Sequence, residues 1–179
     1  MALIILDRDG VINQDSDDYI KSPEEWQALP GSLEAIARLS QYGYHVVIAS
    51  NQSGLARKLF TIETLNAIHQ KMHNQLSQLG GRIEAIFFCP HAPKHGCNCR
   101  KPRPGLLQDI SRRLRMTLKN VPCVGDKLSD IEAALAVDAK PILVRTGYGR
   151  QLVDAGNLPA GVAVFDDLAA VADSLTKPE

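Results

Sequence analysis

The chain has 179 residues, and its 20 lysines and arginines balance 20 aspartates and glutamates, for a formal net charge of zero. That length suits one well-buried domain and is short for two, while the lack of excess positive charge argues against a nucleic-acid or acidic-membrane partner. No apolar run approaches a bilayer span, and the N-terminal one is too short and lacks the basic flank of a signal peptide, so a soluble cytoplasmic protein is expected.

Ala2 to Leu6 is an unbroken apolar run, the pattern of a strand buried on both faces, and Asp7, Arg8, Asp9, Gly10 and Val11 follow where it should end. Gly10 lets the chain turn sharply. The stretch through Trp26 is polar and irregular, and within it Ser22, Pro23 and Glu25 fit a short helical turn with the serine as cap. Leu33, Ile36, Ala37 and Leu39 recur at helical spacing from Ser32 to Tyr42, and Gly43 stops the pattern. Tyr44 to Ala49 reads as a second buried strand, ending at Ser50, Asn51, Gln52, Ser53 and Gly54. Thr61 opens a long helix with the stripe Ile62, Leu65, Ile68, Met72, Leu76 and Leu79, closed by Gly80 and Gly81.

Ile83 to Phe88 is the third predicted strand, followed by a segment from Cys89 to Gly105 dense in proline, cysteine, histidine and basic residues. Leu106 to Leu118 is helical by spacing, and Val121 to Val124 is a short strand ending at Gly125, Asp126 and Lys127. Ser129 with Glu132 fits a capping box for the next helix. Pro141 to Val144 and Val162 to Phe165 read as two more strands, and Asp166 as the cap of a last helix to Leu175. Buried strands alternating with helices imply an α/β fold with a Rossmann-like, mostly parallel sheet, helices on both faces and right-handed crossovers. With no repeat, linker or low-complexity tract, residues 1–179 are expected to form a single domain.

The chemistry follows each strand, at the edge where open α/β sheets bind ligands. Asp7 and Asp9 follow the first strand, Ser50 and Asn51 the second, Arg100 and Lys101 the third, and Asp126 and Lys127 the fourth. A carboxylate can attack phosphorus to form an aspartyl phosphate, but two anions about 4 Å apart repel by roughly 4 kcal/mol at an effective dielectric of 20, so a counter-charge is needed and a divalent cation such as magnesium is the obvious one; the plain alternative is a polar strand end with a turn. The Ser50 hydroxyl and the Asn51 amide can donate to phosphoryl oxygens, and Lys101 adds fixed positive charge.

DRDGV, SNQSG, the lysine after the third strand and GDKLSD, in that order, resemble the four motifs of the haloacid dehalogenase superfamily of phosphotransferases. The resemblance implies that Asp7 is the nucleophile and Asp9 the general acid and base. It also implies magnesium held by the side chains of Asp7 and Asp126 and the backbone carbonyl of Asp9. Asp130 either supports the site or is simply an acid favoured at a helix start. Too few residues separate the motifs for a large cap domain. In its place Cys89, His91, Cys97 and Cys99 form C-x-H-x5-C-x-C, a donor set for a closed, structural zinc ion that can order a loop with almost no apolar residues. His95 is the alternative fourth ligand, and free thiols or a disulfide are the alternatives to a metal site.

This zinc loop followed by Arg100, Lys101 and Pro102, together with the opening DRDGVINQDSDDYIKSPEEW, resembles the heptose bisphosphate phosphatase family, whose members remove the 7-phosphate of D-glycero-D-manno-heptose 1,7-bisphosphate on the route to ADP-heptose and lipopolysaccharide. Position by position, the resemblance implies sugar phosphate contacts from Asp7, Arg8, Asp9, Asp15, Ser16, Asp17, Asp18, Ser50, Asn51, Gln52, Ser53, Arg100, Lys101 and Lys127, with Ser50, Arg100 and Lys101 also in the catalytic set. Serine stands at position 50 where the family commonly has threonine, and the zinc loop is shorter than in some relatives. Histidinol-phosphate phosphatase, with similar motifs, is the enzymatic alternative, and a non-enzymatic phospho-receiver domain the third class. Asp15, Asp17 and Asp18 also fit a solvated loop, Arg57 either the second phosphate or the surface, and Trp26 a flap or plain packing. His45, His69 and His73 read as structural, Cys123 as a small buried hydrophobe, and no long apolar stripe calls for a partner chain, so a monomer is expected.

Overall fold

In the computed structural model, which describes residues 2–177, the apolar runs become six parallel strands: β1 (Ala2–Leu6), β2 (Tyr44–Asn51), β3 (Ala85–Cys89), β4 (Pro122–Gly125), β5 (Lys140–Val144) and β6 (Ala163–Phe165). They form one sheet in the order β3-β2-β1-β4-β5-β6, so β1 lies between β2 and β4. Ile5 is in register with Cys123 and Leu6 with Val124, and the ladder continues where the Asp7 N–H donates to the Val124 carbonyl at 2.9 Å. That pairing sets the acid after β1 beside the acid after β4.

Alternation along the central strands serves two cores. Ile4, Leu6, Val46 and Ile48 pack under helices α1 (Ser32–Gln41), α2 (Ile62–Gln78) and, at the far edge, α6 (Leu168–Leu175). Leu3, Ile5, Val47 and Ala49 face the opposite layer of α3 (Gly105–Leu114) and α4 (Leu128–Leu135). Because both faces are covered, the central strands carry continuous apolar sequence, and each fully buried Ile, Leu or Val contributes about 1.5–3 kcal/mol. Trp26 is 1% exposed within the first core, so its role is packing. Cys123 is buried in the second, where burial pushes its thiol up to about 12.

Several local expectations differ from the fold. Ser22 to Glu25 do form the expected single turn, with the Ser22 hydroxyl accepting the Glu25 N–H, but other expectations shift. Leu65, Ile68, Met72 and Leu76 are the buried stripe of α2, while Ile62 and Leu79 are 42% and 40% exposed because the terminal turns carry them out to solvent. Helix α3 stops at Leu114, since Arg115 adopts φ 53° as a left-handed cap, and Leu118 reaches the core from a loop. The N-cap of α4 is Lys127, and Asp130 rather than Glu132 accepts its N–H, at 3.0 Å. Asp167, not Asp166, caps α6 through the Ala170 N–H at 2.9 Å, while Asp166 pairs with Arg145. A short helix, α5 (Gly149–Asp154), was not foreseen. Among the described residues no helix is long and apolar enough to cross a membrane.

Candidate active site

The C-terminal ends of β1, β2 and β4 and the loop after β3 surround a cleft of about 800 Å³, walled by Asp7, Asp9, Arg100, Lys101, Asp126 and Lys127 among others. At its floor the Lys101 ammonium, 6% exposed, lies 3.1 Å from Asp7 Oδ1 and donates to Asp130 Oδ1 at 2.6 Å and to the Ala49 carbonyl at 2.7 Å. Burial pulls the Lys101 pKa down, but Asp130 and Asp7 outweigh it and hold the group above the ordinary lysine range. The fixed charge expected of this lysine is therefore present and aimed at Asp7.

Asp7, Asp126 and Asp130 bring carboxylate oxygens within 4.8 Å of one another. Burial pushes Asp7 up to about 7 and Asp126 up to about 8, and in both cases neighbouring carboxylates add to the shift. Asp126 is fully buried; its Oδ2 accepts the Tyr148 N–H at 3.0 Å, and its Oδ1 has no partner among the described residues. Two glycines crowd this carboxylate. A Cβ at Gly10 (φ 85°) would lie 2.2 Å from Asp126 Oδ2, and one at Gly147 (φ 57°) would lie 2.1 Å from it. Paired buried acids with an orphaned oxygen fit a hard divalent cation. Asp130 is not a free ligand, because one oxygen takes Lys101 and the other accepts the N–H groups of Asp126 and Lys127.

Asp9 is held differently. Its Oδ1 accepts from Arg8 Nε at 3.0 Å and Asn13 Nδ2 at 2.9 Å, and its Oδ2 from Gln52 Nε2 at 3.1 Å. Burial alone would raise its pKa, but Arg8, Asn13 and Gln52 together lower it below the usual carboxylate value. Asn13, buried two residues past the first motif turn, was missed by sequence reasoning; a polar residue directly after Val11 and Ile12 was the available signal.

Two phosphate donors expected from the sequence are placed otherwise. Ser50 is 1% exposed, its Oγ accepts from Gln52 Nε2 at 2.8 Å, and it does not line the cleft. The Asn51 side chain borders the cleft but clamps the backbone of Lys101, donating to its carbonyl and accepting its N–H, both at 3.1 Å. Gln52 and Ser53 are in the wall. So is Arg100, whose buried Nη1 has no partner among the described residues and is available to an anion.

The outer wall joins two loops. Asp15 Oδ2 accepts from Lys127 Nζ at 2.7 Å, the same ammonium lies 4.9 Å from the Tyr148 ring centre, and the Tyr148 hydroxyl donates to Asp17. That last bond pushes the Tyr148 phenol up to about 12. Asp15, Ser16 and Asp17 thus face the cleft, as do Tyr148, Gln151 and Leu152 around α5, which the sequence reading missed for want of any motif. Asp18 is exposed and outside the wall. The Arg8 side chain is 0% exposed and turned away from the cleft, so the expected side-chain contact with substrate is not met. Arg57 sits 5.9 Å from the Tyr19 ring centre, also outside the wall.

At the far end of β3, Cys89, His91, Cys97 and Cys99 converge with donor atoms within 4.8 Å of one another. The sulfurs of Cys89 and Cys99 are 3.1 Å apart, those of Cys89 and Cys97 3.6 Å, and His91 Nδ1 is 3.3 Å from Cys99 Sγ. These separations are too long for a disulfide and approach the edge of about 3.8 Å that a tetrahedral Zn–S shell requires. His95 stands outside this group of donors, and its Nδ1 accepts the Ala92 N–H at 3.0 Å.

Residues 98–171 match a hydrolase-like family model, described as HAD-hydrolase-like. The chain is 60% identical over 175 residues to the D-glycero-beta-D-manno-heptose-1,7-bisphosphate 7-phosphatase of Bordetella bronchiseptica, covering 98% of each chain. It is 50% identical over 174 residues to the enzyme of that name from Pseudomonas aeruginosa, covering 97% of each. The crystal structure of D,D-heptose 1,7-bisphosphate phosphatase from B. bronchiseptica, complexed with magnesium and phosphate, superposes with a TM-score of 0.96 over 98% of both chains. The Burkholderia thailandensis structure, 46% identical, gives 0.78 over 99% of this chain and 100% of that one.

Proposed function

This chain belongs to the family of D-glycero-beta-D-manno-heptose-1,7-bisphosphate 7-phosphatases, and on that premise we propose that it hydrolyses the 7-phosphate of heptose 1,7-bisphosphate through a phosphoryl group carried on Asp7. Asp7 attacks phosphorus and the bond to the sugar oxygen breaks. Asp9 protonates that oxygen, then takes a proton from the water that cleaves the aspartyl phosphate. The proton taken in one turnover is the one given in the next, and the ionised form held by Arg8, Asn13 and Gln52 is the one fitted to activate water. Lys101 stays charged beside Asp7 and steadies the oxygens of the group in transit, while Arg100 offers its unpartnered Nη1.

Magnesium bound by the side chains of Asp7 and Asp126 and the carbonyl of Asp9 would offset the repulsion between carboxylates and phosphate. The cluster of three thiolates, from Cys89, Cys97 and Cys99, with the His91 imidazole suits a structural zinc with no open position. Asp15, Ser16, Asp17, Gln52, Ser53 and Lys127 are the sugar-facing wall. The relatives are named for the beta anomer at C1, which supports that anomer as the substrate of this chain. The chain acts as one domain, as a monomer, in a reducing cytoplasm where zinc thiolates persist.

The observation that carries this reading is the Asp7–Lys101–Asp130 cluster beside the orphaned Asp126 oxygen, built where β1 and β4 pair. Phosphate release from the heptose bisphosphate should vanish in Asp7→Asn and far exceed release from histidinol phosphate in the unaltered protein. Near-normal turnover by Asp7→Asn would end the assignment of the nucleophile, and faster turnover of histidinol phosphate would end that of the substrate.

A further inference from the structure

Helix α2 brings a histidine to the back of the site. His69 is 7% exposed, and its Nε2 lies 3.0 Å from Nη1 of Arg8, a side chain 0% exposed between the two motif aspartates. The other side of the same guanidinium meets Asp9, with Nε 3.0 Å and Nη2 2.9 Å from Oδ1. A buried guanidinium is costly unless its donors are met, and arginine can only donate, so His69 must present Nε2 unprotonated. Burial foremost, with Arg8 and His73 adding to it, pushes His69 down to about 3, which keeps the ring neutral and an acceptor.

We propose that His69 is a positioning residue for the reaction: it anchors the back of the Arg8 guanidinium so that Arg8 fixes the Asp9 carboxylate for proton transfer. His69 touches neither substrate nor Asp9 and acts through Arg8 alone. Nη2, though 2.9 Å from Asp9 Oδ1, already lacks a hydrogen-bond partner among the described residues, so loss of His69 leaves a second buried guanidinium donor unmet and frees Arg8 to shift, carrying Asp9 with it. The affected quantity is kcat rather than KM, because Asp9 acts on reacting atoms and not on ground-state binding. The inference rests on the acid–base role given to Asp9 above.

The test compares His69→Leu, His69→Gln and Asp9→Asn by steady-state phosphate release, with folding followed by circular dichroism. His69→Leu should lower kcat about tenfold with KM nearly unchanged, and His69→Gln, whose amide oxygen can accept from Arg8, should recover most of that loss. In the unaltered protein, 15N NMR should show His69 Nε2 unprotonated at neutral pH and perturbed by Asp9→Asn, a readout that stands even if His69→Leu does not fold. Unchanged kcat in folded His69→Leu, failure of His69→Gln to recover more than His69→Leu, or a protonated Nε2 would overturn the role of His69. Near-normal activity of Asp9→Asn would instead overturn the acid–base assignment beneath it.

Discussion

Asp130 shows how much one side chain can hold in place without touching a ligand. One of its oxygens takes the Lys101 ammonium and the other two backbone N–H groups, so it orients the lysine and fixes the start of α4 together. Asp130→Asn keeps the shape but must turn an NH2 toward either the ammonium or the N–H groups. Breaking one side of a buried pair costs about 3–5 kcal/mol, so the variant should melt at clearly lower temperature and lose most phosphate release, as calorimetry and the standard assay would read. At Gly147 the effect is on metal: a Cβ there would meet Asp126 Oδ2 at 2.1 Å, and Gly147→Ala should raise the magnesium concentration for half-maximal activity by about tenfold or more. Asp7 and Asp126 were legible as chemistry because each directly follows a buried strand, and Lys101 because it stands in the basic segment after the third strand. Asn51 was not: its position marked it as a phosphate donor, and nothing in the sequence shows that Lys101, fifty positions on, takes both ends of its amide.

At the scale of elements, the segment between β3 and α3 is a loop on which three cysteines and a histidine converge. From Pro90 to Pro104 it contributes one buried apolar residue, Ala92, to the interior, yet it delivers Arg100 and Lys101 to the cleft. If zinc replaces the missing core there, Cys99→Ser or strong chelation should disorder this loop and abolish activity while the sheet survives. Metal analysis, far-UV circular dichroism and phosphate release together check this: about one equivalent of zinc in the unaltered protein, loss of metal and activity in the variant, and a largely retained helical signal. Elements with strong periodicity were readable for the same physical reason that they are stable, since a continuous apolar run has to be covered on both faces. Helix α5 carries no such pattern. It is six residues long and contributes only Gly149 to the buried set, so its place in the cleft wall follows from the β5 loop closing over Asp126 and not from any local signal.

For the whole molecule, the family resemblance in DRDGV, SNQSG and GDKLSD is borne out by the relatives and by the parallel sheet that gathers those motifs. The same gathering sets the protein's response to pH. Burial and neighbouring carboxylates hold the protons of Asp7 and Asp126 to about 7 and about 8, whereas the unfolded chain releases them near pH 4. Between those limits the folded state binds more protons than the unfolded one. Without metal, stability should therefore fall as pH rises from about 5 to 8, the reverse of the usual effect of a carboxylate held by a cation. Magnesium competes for the same oxygens, so it should stabilise the fold little at pH 5 and strongly at pH 8. Thermal melts in EDTA and in excess magnesium across that range read both effects at once, and a metal-free protein that gains stability toward pH 8 would show that these two acids are already ionised in the folded chain.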